Sequence, residues 1–218
     1  MKKKISLVLC VLILLVCLTG CGTKSAKEIE PEKPFELRNG ILMGDSVEDV
    51  LSKETLEIAS KSTDEIITKR GTFAEVDFDY CQYKFSDGKL KSVVWKADWP
   101  NTLAPSVYFS TLSKGLQNKY GEPSNTDVSK FNLYHGSAID YMFYSMGELI
   151  ALELSLGKAG IDHLNEWIID CGGNGHVKID LFAFHEYEDG YLLVSYDYFT
   201  DEEFSELTKE DMSYSDDL

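Results

Sequence analysis

Two aspartates placed two residues apart could carry out acid–base chemistry. Asp77 and Asp79 alternate with apolar residues, so they share one face of a predicted strand. Two neighbouring carboxylates can serve as a general acid and a general base. The same alternation is also typical of a strand that keeps one face in water. The pair is therefore a candidate, and solvation is the more ordinary interpretation.

Three residues near the C terminus have side chains that bind metals. His176, Asp180 and His185 fall on one predicted strand and its end. Ligands on a regular strand share a face only at even spacings, and the spacing of the two histidines is odd. We therefore expect no metal and no cofactor, and we interpret both histidines as solvated residues at a strand edge. His135 and His163 have no neighbouring motif.

Other sequence patterns that could support catalysis or ion binding are incomplete. The Gly-Gly-Asn-Gly run at residues 172–175 lacks the lysine and helix that follow a phosphate-binding loop, so we expect a tight connection between strands. The acidic segment 201–218 lacks the alternating acids and central glycine of a calcium loop. The familiar hydrolase and phosphate-loop motifs are absent from the sequence. The sequence therefore predicts a protein that is not an enzyme.

Three of the five cysteines lie within the first 21 residues, and the other two are Cys81 and Cys171. A disulfide between them would close a loop of about 90 residues and stabilise the fold by about 4.6 kcal/mol in the chain-entropy model. Cys81 also lies within a strand pattern, where free cysteine behaves as a small apolar side chain. The separation of the two Cα atoms decides between a disulfide and two free thiols.

The N-terminal residues form an export signal. Three lysines at residues 2–4 precede an apolar run at residues 5–18. A basic start, a short apolar stretch and small residues before a cleavage point define such a signal. Because about 20 apolar residues are needed to cross a bilayer, a permanent transmembrane helix is the weaker alternative.

The Leu-Thr-Gly-Cys sequence at residues 18–21 resembles the bacterial lipobox. The resemblance implies cleavage before Cys21 and a diacylglyceryl thioether on that cysteine. Residues 1–20 are then the lipoprotein signal peptide, and residues 21–34 are the lipidated cysteine and a flexible tether. Since two acyl chains hold a protein stably at a bilayer, we expect the protein on the extracytoplasmic face of the cell membrane.

The charge of the chain limits the partners it can bind. The full chain has 21 basic and 37 acidic residues, a net charge of −16. Loss of the leader's three lysines leaves a net charge of −19. Nucleic-acid binding and docking on anionic lipid headgroups both depend on lysine and arginine. We therefore expect no nucleic-acid partner, and we expect the acyl group, not the protein surface, to hold the chain at the membrane.

Residues 35–210 are predicted to form one globular domain, followed by a disordered acidic tail at residues 211–218. Cleavage leaves 198 residues, which suits one domain of ordinary size. Apolar residues make up 44% of the chain, enough for a core.

The clearest local elements are two helices and a hairpin. Residues 45–51 have a helix cap followed by apolar residues at helical spacing. Alternating residues from 76 to 97 are interrupted by Asp87-Gly88, a strong hairpin signal. A longer helix starts near Pro105 and ends before Gly121.

Strands are predicted again after residue 138. The expected strands are residues 139–144, 149–156, 164–170, 176–184 and 191–199. A second Asp-Gly turn is expected at residues 188–190, and a capping box at residues 200–203 opens a last short helix. Since strands and helices do not alternate, the fold class is α+β, an antiparallel β-meander with two or three short helices packed on one face.

Three elements follow one another in the chain. They are a helix start of the form Gly-x-Ser-x-x-x-Val at Gly44, a hairpin, and a helix ending Lys-Tyr-Gly-Glu-Pro at residues 119–123. Over residues 35–199 this arrangement resembles small lipoproteins of the outer-membrane-assembly-subunit and β-lactamase-inhibitor-protein type. It is also similar to many uncharacterised secreted lipoproteins of Gram-positive bacteria. The resemblance implies a non-catalytic, protein-binding role.

Aromatic residues near predicted turns are the candidate partner contacts. Trp99 lies between the hairpin and the long helix, and Tyr134, Tyr187 and Tyr191 lie near turns or strand ends. Tryptophan and tyrosine dominate binding hot spots, although they also pack cores. We expect a non-catalytic binding module for a protein or envelope partner. The alternatives are a small-solute receptor, which needs a closed pocket, and an envelope hydrolase with a dispersed site.

Overall fold

Seven antiparallel strands form the main sheet in the computed structural model, which describes residues 34–126 and 159–215. In chain order the strands are β1 (Ile58–Lys61), β2 (Glu65–Thr68), β3 (Gly71–Phe73), β4 (Val76–Phe78), β5 (Tyr80–Ser86), β6 (Lys89–Trp99), β7 (Ala159–Asp170), β8 (His176–Glu186) and β9 (Asp189–Phe199). The order across the sheet is β1-β2-β5-β6-β9-β8-β7, and β3 and β4 form a separate two-stranded sheet.

Three described helices accompany the sheet: α1 (Val47–Lys53), α2 (Leu103–Tyr120) and α3 (Asp201–Ser215). Helix α2 packs across β7, β8 and β9, and α3 packs against β9. The α+β fold with an antiparallel meander, predicted from the sequence, is confirmed. Within the described residues, no helix is both long and apolar enough to span a bilayer.

The main core lies on the sheet face that α1 and α2 cover. It includes Val50 of α1 and Leu112 and Leu116 of α2. Trp95 and Trp167 are both fully buried there. The larger side chains of this core are Trp95, Trp167, Tyr83, Phe78, Ile41, Ile66, Leu90 and Leu112.

The opposite face of the sheet has an apolar part and a charged part. The apolar part consists of Val94, Leu164, Phe182, Phe184 and Leu193. Further along the same strands, Lys178 and Asp180 on β8 lie beside Ser195 and Asp197 on β9, and all four side chains are buried. Since buried charges are costly unless they are paired, this part of the face is built from ion pairs and hydrogen bonds.

Local sequence signals explain the ends of the elements. Ser46 and Asp49 form the capping box that starts α1. Asp87 and Gly88, with φ of 52° and 73°, form the turn between β5 and β6, as a type I′ turn requires. At the start of α3, the Glu203 backbone N–H donates to Thr200 Oγ1 at 3.2 Å, and the Thr200 N–H donates to Glu203 Oε2 at 2.6 Å.

One expectation about an element limit was wrong, and two further limits are now defined. Glu186 pairs with Asp189, so the loop residues between β8 and β9 are Tyr187 and Glu188, and the Asp-Gly pair instead opens β9. Helix α3 runs from Asp201 to Ser215, so residues 211–215 are helical. The segment 55–72, for which the sequence pattern indicates no clear element, contains β1, β2 and the start of β3.

Several sequence predictions lie outside the described residues. These are the signal peptide, Cys21, residues 22–33 of the tether, the strands at residues 139–144 and 149–156, and Tyr134 and His135. They stay predictions.

Candidate interaction surface at the start of helix α2

Residues 100–102 connect β6 to α2, and Asn101 organises this connection. Its side-chain Oδ1 accepts hydrogen bonds from the backbone N–H groups of Leu103 at 3.2 Å and Ala104 at 2.9 Å. Thr102, which directly precedes the helix, makes no side-chain capping bond. The Asn101 amide therefore satisfies two of the free N–H groups at the helix start.

Gly190 holds the β8–β9 hairpin against this helix start. A Cβ atom on Gly190 would lie 2.4 Å from the Asn101 carbonyl oxygen and 2.7 Å from Pro105 Cγ. Gly190 also pairs with Trp99 across β6 and β9. Only glycine allows this approach of two backbones, so the helix start and the hairpin form one packed corner.

We expect Gly190→Ala to destabilise the protein by about 2 kcal/mol, because overpacking at a tight contact forces the backbone to move. Equilibrium unfolding in urea measures the change. Gly115→Ala is the matched control: a Cβ at Gly115 meets open space inside α2, so we expect that variant to be stabilised by up to about 1 kcal/mol. Equal stability of the two variants would contradict the close contact.

A group of apolar side chains lies exposed beside this corner. We call Trp99, Leu103, Val107 and Tyr108 the Trp99 patch. The Trp99 and Tyr108 rings stack, with centroids 5.2 Å apart and planes 20° apart. Trp99 also packs against the main core. The core thus holds Trp99, and Tyr108, the other ring of the stacked pair, is exposed to solvent.

The apolar residues of the patch are unusually exposed. Leu103 is 72% exposed, Val107 57% and Tyr108 37%. Leu103 and Val107 are four residues apart, so they lie on one face of α2. In the part of the chain that the structure describes, these three are among five large exposed hydrophobic residues, the others being Ile168 and Tyr187. Such a concentration is typical of an interaction site.

Three acidic residues lie at the end of β6 and around the β8–β9 loop. Asp98, Glu188 and Asp189 are all exposed. Asp98 pairs with Lys96 Nζ at 3.1 Å. Asp98 pairs with Tyr191 across β6 and β9, and Asp189 lies two residues before Tyr191 on β9, so both belong to the sheet face opposite to Trp99. Asp98 and Asp189 therefore do not form an edge of the Trp99 patch.

The sequence-predicted contact residues divide between two faces of the sheet. Trp99 lies on the α2 side, whereas Tyr191 stacks on Phe184 at 4.8 Å on the opposite face. Tyr187 is 55% exposed at the hairpin loop with φ of 55°. The structure thus brings Trp99 together with residues of α2, and it does not bring Tyr191 to them.

The suggested Asp77–Asp79 carboxylate pair is split in the structure. Asp77 accepts a hydrogen bond from Thr72 Oγ1 at 2.8 Å within the small sheet. Asp79 pairs with Arg70 at 2.6 Å and accepts from the Asp98 backbone N–H at 3.0 Å. Each carboxylate serves a separate structural contact, so the acid–base interpretation loses its support.

The three candidate metal ligands also have separate partners. His176 stacks on Phe204 at 4.0 Å, and His185 Nδ1 lies 2.9 Å from Asp162 Oδ1. Asp180 is buried beside Lys178. Within residues 34–126 and 159–215, no cluster of three or more metal-binding side chains is found.

Cys81 and Cys171 are free thiols in the structure. Cys81 lies on β5 and Cys171 follows β7, and β6, β9 and β8 lie between those strands. Adjacent strands are about 4.8 Å apart, too far over four spacings for the Cα separation that a disulfide needs. Burial raises the pKa of both thiols. The disulfide alternative is not realised.

Lys178 lies between two carboxylates on the charged part of the sheet. Its Nζ atom lies 2.9 Å from Glu166 Oε2 and 3.0 Å from Asp180 Oδ2. The Asp180 Oδ1 atom is buried without a hydrogen-bond partner. Burial raises the pKa of Asp180 to about 7, and the Lys178 charge opposes this effect. Nearby, Ser195 donates to Asp197 at 3.1 Å.

This cluster was not identified from the sequence. The sequence does contain a pattern that indicates it. Lys178 and Asp180 alternate with apolar residues, and the same strand is apolar on both faces further along. Asp180 and Ser195 are fully buried, so a substrate has no access to them in this conformation. The arrangement favours a structural role over hydrolysis.

A second ion pair joins the N-terminal part of the domain to the sheet. The Arg38 guanidinium pairs with the fully buried Glu54 carboxylate and lies over the Trp95 ring, 4.6 Å from its centroid. Glu54 also accepts hydrogen bonds from the Tyr83 hydroxyl and from the backbone N–H of Leu56 at 2.7 Å. Burial would raise the pKa of Glu54, but these hydrogen bonds and the Arg38 charge lower it overall.

Two surface hollows meet at Lys91 and Tyr198, between the β5–β6 hairpin and α3. Lys91 Nζ pairs with Glu203 at 3.3 Å and lies 4.8 Å from the Tyr198 ring centroid. Lys91, the cation that lines both hollows, is therefore already engaged. This arrangement gives a small-solute site little support.

Comparison with protein-family models, curated proteins and solved structures finds no match to this chain. The Trp99 patch must therefore be interpreted from its own geometry.

Proposed function

We propose that the protein is a membrane-anchored, extracytoplasmic binding module that binds a protein partner without catalysis. The lipobox-like sequence at residues 18–21 supports anchoring through Cys21. The observation that carries the binding role is the exposure of Leu103, Val107 and Tyr108 beside the stacked Trp99 ring. Leu103 and Val107 are exposed on one helix face, which lowers the solubility of the free protein, and binding a partner removes them from water.

The patch has the composition and support of a binding hot spot. A tryptophan and a tyrosine provide large contact area with few rotatable bonds. Trp99 is held by the core and by Tyr108, and the helix that carries Leu103 and Val107 is fixed by the Gly190 contact. A fixed surface loses little conformational entropy when a partner binds.

Site-specific photo-crosslinking in the native membrane tests this function. A benzophenone side chain replaces Val107 in the full chain, and the control carries it at Ile168, an exposed apolar position on β7. We expect a protein adduct from position 107 that is absent from position 168. The Trp99→Ala change should lower the adduct yield by at least about tenfold, the loss expected at a hot spot.

The folded state of each variant is checked by thermal unfolding. Because Trp99 also contacts the core, Leu103→Ser provides a second variant at a residue that is 72% exposed. Absence of any protein adduct at position 107, or a yield that neither variant lowers, would overturn the proposed function.

A further inference from the structure

We infer that the partner of the Trp99 patch presents apolar side chains flanked by aspartate or glutamate. This inference rests on the proposed function and adds the chemistry of the partner surface. It comes from the charge of the exposed half of α2, which continues the patch along the helix towards Tyr120.

The first argument is the charge of α2 itself. Its charged residues are Lys114 and Lys119, and it contains no aspartate or glutamate. The whole chain, in contrast, has 37 acidic and 21 basic residues. Asp98 and Glu122, the acidic residues nearest to α2 in the chain, lie outside the helix. The helix that carries the patch is therefore positive in a chain that is strongly negative.

The second argument is the position of the two lysines on the helix. Lys114 follows Val107 by seven residues, so it lies on the same helix face about 10 Å further along. Lys119 follows Tyr108 by eleven residues, which is close to three turns, so it lies on the Tyr108 side. Both lysines are exposed. The patch and the two cations thus share the solvent-facing half of α2.

The third argument is that both charges are available to a partner. Within the described residues, the ion pairs involve other cations than Lys114 and Lys119. Lys119 Nζ lies 4.8 Å from the ring centroid of its neighbour Tyr120, a contact that leaves its charge in place. A partner can therefore pair with both lysines without breaking an ion pair of the described residues.

The order of apolar and charged residues along α2 matches the plan of a protein interface. Interfaces place apolar residues at the centre and charged residues at the rim. Rim charges contribute mainly to partner choice and association rate. Lys114 and Lys119 lie beyond the apolar residues of the patch, so they fit the role of rim charges that select an acidic partner.

Other occupants fit this surface less well. Clusters of roughly four to eight basic residues are typical of sites for anionic lipid headgroups, whereas α2 supplies two on a chain of net charge −16. A second copy docked symmetrically through the same patch would place lysines against lysines. An acidic segment of another protein meets opposite charges there.

Charge reversal in the crosslinking experiment tests this partner chemistry. The benzophenone at position 107 of the full chain is combined with Lys114→Glu and Lys119→Glu. Both side chains are exposed and glutamate is a good helix former, so we expect the variant to fold. We expect the yield of the protein adduct to fall at least about tenfold, since rim repulsion replaces rim attraction.

A matched control separates local from general charge effects. Lys61→Glu with Lys89→Glu makes the same change in net charge at two exposed lysines, on the edge strand β1 and at the start of β6. We expect this control to keep the wild-type yield. An equal loss in both double variants, or no loss in Lys114→Glu/Lys119→Glu, would overturn the inference while leaving the proposed function intact.

The identity of the adduct gives the remaining outcomes. A partner peptide with aspartate or glutamate beside the crosslinked apolar residue supports the inference, and changing that acid to lysine should restore the yield of Lys114→Glu/Lys119→Glu. An adduct with a second copy of this chain, with lipid or with a basic partner segment overturns it. Loss of the adduct in Trp99→Ala without any loss in Lys114→Glu/Lys119→Glu would retain the patch and reject the acidic partner.

Discussion

Glu54→Gln is expected to lower the free energy of unfolding by about 3 kcal/mol, because removing one member of a buried ion pair leaves the other charge unpaired. The fully buried Glu54 carboxylate accepts from Arg38, Tyr83 and the backbone N–H groups of Thr55 and Leu56. Glutamine keeps the size of the side chain. Its NH2 group, however, is a hydrogen-bond donor in the place of a carboxylate oxygen that accepts, so it faces other donors. Equilibrium unfolding in urea at neutral pH measures the loss.

Glu57→Gln provides the control for this prediction. Glu57 pairs with Lys69, but both side chains are more than half exposed. Exposed ion pairs contribute about 0–1 kcal/mol, so this variant should unfold nearly like the wild type. A similar small loss for Glu54→Gln would show that the buried pair contributes little to stability.

The Glu54 pair also predicts how stability responds to acid. Because the folded-state pKa of Glu54 is lower than its ordinary value, ionised Glu54 stabilises the folded protein above about pH 4.5. This contribution is lost as the pH falls from there through the lowered folded-state pKa. Glu54→Gln should therefore lose part of the acid sensitivity of the wild type.

Asp180 is expected to make stability fall as the pH rises from about 4 to about 7. Burial raises its folded-state pKa to about 7, whereas the ordinary value is 3.8. In this window the folded protein binds a proton that the unfolded chain releases, so raising the pH favours unfolding. The Lys178 charge favours ionised Asp180, and Glu166 and Asp197 oppose ionisation.

Asp180→Asn tests this effect because asparagine has the same shape and does not titrate. Urea unfolding at several pH values between 4 and 8 should show a decline in the wild type that the variant lacks. Glu48→Gln, at an exposed residue of α1, should retain the wild-type decline. Parallel pH curves for Asp180→Asn and the wild type would contradict a raised pKa at Asp180.

The elements governed by neighbouring residues could be predicted from the sequence. The Ser46–Asp49 capping box and the Asp87-Gly88 turn are local arrangements whose partners lie within a few residues. Their geometry follows from rules that do not depend on the rest of the fold. The predicted α+β class follows in turn from the order of these elements.

The contacts between distant segments could not be predicted in the same way. Gly190 was interpreted as a turn residue, whereas its small size is needed where it meets Asn101 and Pro105. The Arg38–Glu54 and Lys178–Glu166 pairs likewise depend on which segments become neighbours. Strand pairing across long connections, such as β6 with β9, decides these contacts, and periodicity alone does not reveal it.

The Trp99 patch shows the same limit of prediction from sequence. The sequence shows that Trp99 lies between the hairpin and the long helix, and the structure makes it the last residue of β6 and stacks it on Tyr108 of α2. An apolar residue at helical spacing indicates that a helix has an apolar face, but not whether that face is covered. Only the tertiary structure shows that this part of α2 is uncovered.

The contact of Gly190 with the helix start, where an added Cβ would lie 2.4 Å from the Asn101 carbonyl oxygen, has a mechanical consequence. A force applied to the first turn of α2 passes directly into the β8–β9 hairpin, because no side chain lies between the two backbones to yield. Since β9 is hydrogen-bonded to both β6 and β8, the load then spreads through the centre of the sheet. A partner that pulls at this corner would therefore load the main sheet and not an isolated loop.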